Sequence, residues 1–143
     1  MAKKRIVLSI FSFLSLAAGL LIYLVFRNDT FIHAFLPHGI CDFLYVELER
    51  NVFTDFVKFY LCDFLWAFSF SNALTCVSYS FEKKRLVINA LLVLFCGVLF
   101  EALQHFGVIS GTFDFADILA YAVAAVLSAA VSFFYLKGVK SDE

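Results

Sequence analysis

Residues 100 to 121 place Glu101, Gln104, His105, Asp114 and Asp117 between two very apolar segments. Glu101, Gln104 and His105 are spaced i, i+3 and i+4, so one helix face carries all three. Asp114 and Asp117 follow a Gly-bearing loop and lead into the next apolar run. An earlier apolar run adds Asp63, with Trp66 about a turn beyond it. Charge in a low-dielectric setting is costly, so carboxylates there need a reason to be present. Three chemistries suit such a set. Carboxylates hold hard divalent cations, which prefer oxygen ligands. Buried carboxylates exchange protons, because burial penalises the charged form. They also accept hydrogen bonds from hydroxyl or amine groups, such as those of a lipid-linked sugar or peptide.

All of these residues except Glu101 also have a plainer use. Asp117 precedes Ile118 and reads as a helix N-cap. Asp114 reads as an Asx turn after Gly111-Thr112. Asp63 caps its own helix if that helix starts late. His105 is an interfacial polar residue at a helix end, and Gln104 can simply bond a neighbouring helix. Trp66 is either an aromatic-belt residue or a wall of the site. Glu101 has no such role, because its short side chain reaches the headgroups poorly. No nucleophile elbow, phosphate loop, His-x-x-x-His pair or nucleotide fingerprint accompanies these residues. No catalytic residue and no cofactor are therefore assigned.

The composition says what must position them. Of 143 residues, 63% are hydrophobic and 16% charged, with 20 Phe and one Pro. The mean hydropathy is +0.91. Soluble domains average about 45–50% apolar and about 25% charged, so the chain reads as a membrane protein in one domain. A net charge of -1, with bases in small scattered clusters, excludes a nucleic-acid partner. Cys41, Cys62, Cys76 and Cys96 have no metal-ligand spacing and suggest no disulfide framework.

Hydropathy predicts an all-α bundle of four transmembrane helices at residues 6–26, 59–80, 86–106 and 118–136. The first run is too long for a signal-peptide core, and Ala17-Ala18-Gly19 lies in mid-run rather than at a cleavage point. Residues 27–58 form an outer segment. Within it, 31–48 are broken by His33, Pro37, His38, Gly39 and Asp42, and predict short surface or re-entrant helical pieces. Four crossings put Lys3, Lys4, Arg5, Lys83, Lys84, Arg85, Lys137 and Lys140 on one side, with Arg27, Arg50 and Lys58 on the other. The positive-inside rule makes the first side cytoplasmic, termini included. Glu101 and Asp63 then lie at similar depth in the outer leaflet.

Glu101-x-x-Gln104, a short loop, and Gly111-Thr112-Phe113-Asp114-x-x-Asp117 entering an apolar helix together resemble the VanZ-like proteins, small bacterial multi-pass membrane proteins. Asp63 with Trp66 resembles an Asp-x-x-Trp feature of some relatives. The likeness covers about a quarter of the chain. It departs at Gly111, where the family's loop Arg falls, at Tyr121, near a family Asn, and at Ala124, near a family Gly. The resemblance implies a bacterial plasma-membrane protein of the cell envelope, in a family whose founding member is associated with glycopeptide-antibiotic resistance. On this reading Asp63, Trp66, Glu101, Gln104, His105, Asp114 and Asp117 line an outer-leaflet site for a polar, lipid-linked or cell-wall ligand. The bilayer is the surrounding partner. An ion- or proton-coupled carrier and a structural subunit of a membrane complex are the alternatives.

Overall fold

The structure is a computed structural model that describes residues 2–26, 45–47, 49, 51–78, 82–109 and 111–137. The surface or re-entrant pieces expected at 31–48 lie outside the described residues, apart from 45–47. There the Val46 amide donates to the Val25 carbonyl at 2.8 Å.

All described regular structure is helical. Helix α1 spans Ala2–Phe26, α2 Val52–Asp55, α3 Cys62–Val77, α4 Lys83–His105 and α5 Phe115–Lys137. A π-helical stretch, Phe56–Leu61, joins α2 to α3. The junction residues Asp55, Phe56, Leu61 and Cys62 all keep right-handed helical dihedrals, so residues 52–77 are one continuous helix with a wide turn inside it. In space there are thus four helices. Three contain stretches long and apolar enough to cross a membrane: Arg5–Phe26, Lys83–His105 and Phe115–Phe134.

The second helix begins well before the expected residue 59. Asn51 starts it, accepting from the Thr54 amide at 2.9 Å while Thr54 Oγ1 accepts from the Asn51 amide at 2.9 Å. This reciprocal capping satisfies two donors that a helix start otherwise leaves unpaired. Asp63 therefore lies well inside the helix rather than at its start.

The helices run up and down. Ser12 and Ser69 exchange hydrogen bonds, each hydroxyl donating at 2.8 Å to the other's carbonyl, and pin α1 to α3. Ser128 Oγ donates to Asn72 Oδ1 at 3.1 Å and ties α5 to α3. Asn89 Nδ2 donates to Thr75 Oγ1 at 3.3 Å, linking α4 to α3. At one end of the bundle lie Arg5, Cys76 and Lys83, with the Lys83 ammonium 5.1 Å from the centre of the Phe133 ring. At the other lie Gly19, Cys62, Glu101 and Asp114. The start of α1 and the end of α5 share the basic end.

Burial is inverted relative to a water-soluble bundle. Ser69, Ser71, Asn72, Thr75, Asn89, Glu101, Ser128 and Ser132 are buried, while Phe13, Leu91, Phe95, Leu119 and Phe134 are exposed. The apolar core is small: Ala67, Val93, Ala124 and Ala125, with Phe64, Phe68 and Tyr121 against it. In water such a surface would drive aggregation. In lipid, apolar side chains gain nothing by facing inward, so small and polar residues take the interface and bond across it. A bilayer is the medium this surface fits. Asn72→Leu is expected to destabilise the bundle by about 1 kcal/mol, read as unfolding by SDS from mixed micelles.

Candidate functional site

The α4–α5 connection builds the acidic end. Gly107 (φ 67°) lets the chain reverse after His105. The Gly107 amide donates to the Gln104 carbonyl at 3.0 Å and the Val108 amide to the Leu103 carbonyl at 2.9 Å. That bond pair closes a helix on a left-handed residue, the conformation glycine adopts without strain. Gly111 (φ 142°) is equally constrained, and a Cβ there would come 2.6 Å from Gln104 Cδ. Gln104 therefore packs on the loop backbone. Any side chain at position 111 would therefore be strained.

Asp114, rather than Asp117, caps α5. The helix starts at Phe115, three residues earlier than its hydropathy suggests. Asp114 Oδ1 accepts from the Ala116 amide at 2.8 Å, satisfying a donor of the first turn. Asp117 falls inside that turn, where a negative charge favours the helix dipole. Asp114 also joins the other two helices. Its amide donates to Glu101 Oε2 at 3.0 Å, and its Oδ2 accepts from the Tyr60 hydroxyl at 3.2 Å. The wide π-helical turn carries Tyr60, and such turns recur where a helix must aim a side chain at a functional site.

Glu101 is turned inward and is only 1% exposed. The charges of Asp63, Glu101 and Asp117 all act on the Tyr121 hydroxyl. The Tyr121 ring covers Gly97, where a Cβ would stand 2.3 Å from Tyr121 Cδ2. Only glycine lets α4 and the ring approach this closely. Asp63, Glu101, Asp114 and Asp117, from three helices, are thus gathered around Tyr60 and Tyr121. Sequence reading missed both tyrosines, although the i, i+4 spacing of Asp117 and Tyr121 placed them on one helix face.

Two expected members lie elsewhere. Trp66 packs on α1, with Cδ1 2.9 Å from where a Gly19 Cβ would be. The Cys62 thiol, one turn before it, donates to the Gly19 carbonyl at 3.4 Å. This face of α3 is turned to α1. His105 is exposed on the rim, its ring edge-on to Phe106 and Phe113 at 5.4 and 5.5 Å.

No family model matches the chain, and no curated protein or solved structure matches it. The site's own chemistry is then the guide. Among the described residues no three His, Cys, Asp or Glu side chains are grouped so as to hold a metal ion. What the acidic end presents is carboxylate oxygens and tyrosine hydroxyls at a helix junction, a set that exchanges hydrogen bonds with hydroxyls, amines or protons.

Proposed function

We propose that the chain is a VanZ-like envelope protein of the bacterial plasma membrane. Its four helices cross the bilayer with both termini in the cytoplasm. The acidic end sits in the outer leaflet and binds a polar or lipid-linked envelope ligand through hydroxyl or amine groups. The ligand site comprises Asp63, Glu101, Asp114 and Asp117 with Tyr60 and Tyr121, while Gln104 shapes the loop. The observation that carries this reading is the inward-facing Glu101, 1% exposed and bonded to the Asp114 amide. An acid kept at that depth is costly unless it has work to do there. The convergence of the Asp63, Glu101 and Asp117 charges on the Tyr121 hydroxyl supports the same reading.

Mass spectrometry of molecules retained by the protein, extracted from its native membrane, tests this. Wild type retains a specific hydroxyl- or amine-bearing lipid, and Glu101→Gln loses most of it while remaining folded. Identical profiles for the two proteins would defeat the proposal.

One observation favours a second reading, a proton-coupled carrier. Buried polar side chains continue from the acidic end toward the basic one, through Asn72 and Ser128 to Thr75 and Asn89. A carrier of this kind moves solute in response to a pH gradient in vesicles and stops doing so in Glu101→Gln.

A further inference from the structure

The rim of the acidic end is apolar. Phe106 is 77% exposed, Phe115 74% and Val52 89%, and Phe53, Val108 and Phe113 are exposed with them. These residues come from the α4–α5 loop, the first turn of α5 and the start of α2, so they belong to separate segments at one end of the bundle. The rim continues onto exposed Leu99 and Phe100 of α4 and Leu119 of α5, on the bundle's apolar outer surface. Its stiffening contacts are aromatic too, with His105 wedged edge-on between Phe106 and Phe113.

Length fixes the depth of this rim. Lys83, Lys84 and Arg85 mark one boundary of α4. From Leu86 to His105 is about 20 residues, or about 30 Å of helix, which matches the hydrocarbon core. Phe106 and the loop after it then fall in the opposite headgroup layer. A loop meant for bulk water would be polar there. Exposed phenylalanines at that depth gain by sinking into the boundary between headgroups and acyl chains.

From this geometry we infer that residues 106–109 and 111–115 and the start of α2 are inserted into the interfacial zone of the leaflet at the acidic end. A ligand reaching the carboxylate and tyrosine site then passes the phospholipid headgroups rather than coming directly from water. The ligand class of the site narrows to amphiphiles whose polar group travels in the membrane plane. Insertion itself stands on the rim alone; the ligand class rests on the site proposed above.

Brominated lipids test the insertion. Trp66 is the chain's one tryptophan, so a Trp66→Phe background leaves any introduced indole as the sole reporter. Phe106→Trp, Phe113→Trp and Val52→Trp each keep a large apolar side chain at an exposed position. In phosphatidylcholine vesicles, emission from each is expected to fall to about half when the acyl chains are brominated near their headgroup end, with little quenching by aqueous iodide. Strong iodide quenching with no loss to brominated lipid at Phe106→Trp and Phe113→Trp overturns the inference. That result would leave the acidic site intact but water-facing. Loss of ligand retention to Glu101→Gln is read separately, so failure of one is distinguishable from failure of the other.

Discussion

Glu101→Ala is expected to lower the unfolding free energy by about 3 kcal/mol, because it removes a buried carboxylate and with it the acceptor of the Asp114 amide. The Asp114 amide, 3.0 Å from Glu101 Oε2, loses its partner. Lipid tails supply no replacement. The loss is also structural at a distance, since Asp114 caps α5 and holds Tyr60. Glu101→Gln keeps a carbonyl oxygen in the same place, so its cost should be nearer 1 kcal/mol. The pair is measured by SDS-induced unfolding in mixed micelles, with helicity as the signal. If alanine and glutamine cost the same small amount, the buried carboxylate does not hold the acidic end together.

Gly97→Leu is expected to be the other severe change. A Cβ at this position stands 2.3 Å from Tyr121 Cδ2, 2.6 Å from Cγ and 2.9 Å from Cε2. The contact is to the body of a ring on a neighbouring helix, so no flexible side-chain tip can yield. Forcing the two helices apart costs about 3 kcal/mol, at the upper end for overpacking. It also withdraws the Tyr121 hydroxyl from Glu101 without touching either group. Gly97→Ala should show the same defect more weakly, and Tyr121→Ala should relieve most of it. The double variant therefore separates a steric cause from a general loss of helix stability. Additive penalties in that cycle would contradict the contact.

The apolar runs of the three helices long enough to cross a membrane were plain in the sequence, because lipid-facing helices need length and hydrophobicity more than pattern; the run at 59–80 is not among them. Helix starts were harder. Phe115 and Ala116 already belong to α5, but Asp117 sits where a cap would stand if hydropathy alone set the boundary. The helix start at Phe115 and the Ala116 amide bond decide that Asp114 is the cap, and neither is legible in residue types. The early start of the second helix did leave a trace, the Asn51–Thr54 pair, which the mixed residues around it obscured. The π-helical turn over Phe56–Leu61 left no trace in the residue types.

Within the candidate site, Glu101 was legible for a physical reason: an acid in an apolar segment has few tolerable places to go. Tyr60 and Tyr121 were not. A tyrosine in an apolar run reads as one more aromatic, and its hydroxyl gains meaning only when register brings a carboxylate to it. Trp66 shows the reverse error. Its spacing from Asp63 suggested a shared site, but the α1 contact through Gly19 turns it to another face. His105 is near Glu101 in sequence yet lies on the rim, where aromatic neighbours rather than acids surround it.

The proposed function requires the Glu101 end of the bundle to face out of the cell. Cysteine labelling in intact cells measures that directly. Glu49 is exposed near the acidic end and Lys84 is exposed at the basic end. In a background with Cys41 and Cys96 replaced by serine, Glu49→Cys is expected to react with a membrane-impermeant maleimide before lysis, and Lys84→Cys only afterwards. Labelling of Lys84→Cys in intact cells, with Glu49→Cys protected until lysis, would put the acidic end in the cytoplasm and contradict the account.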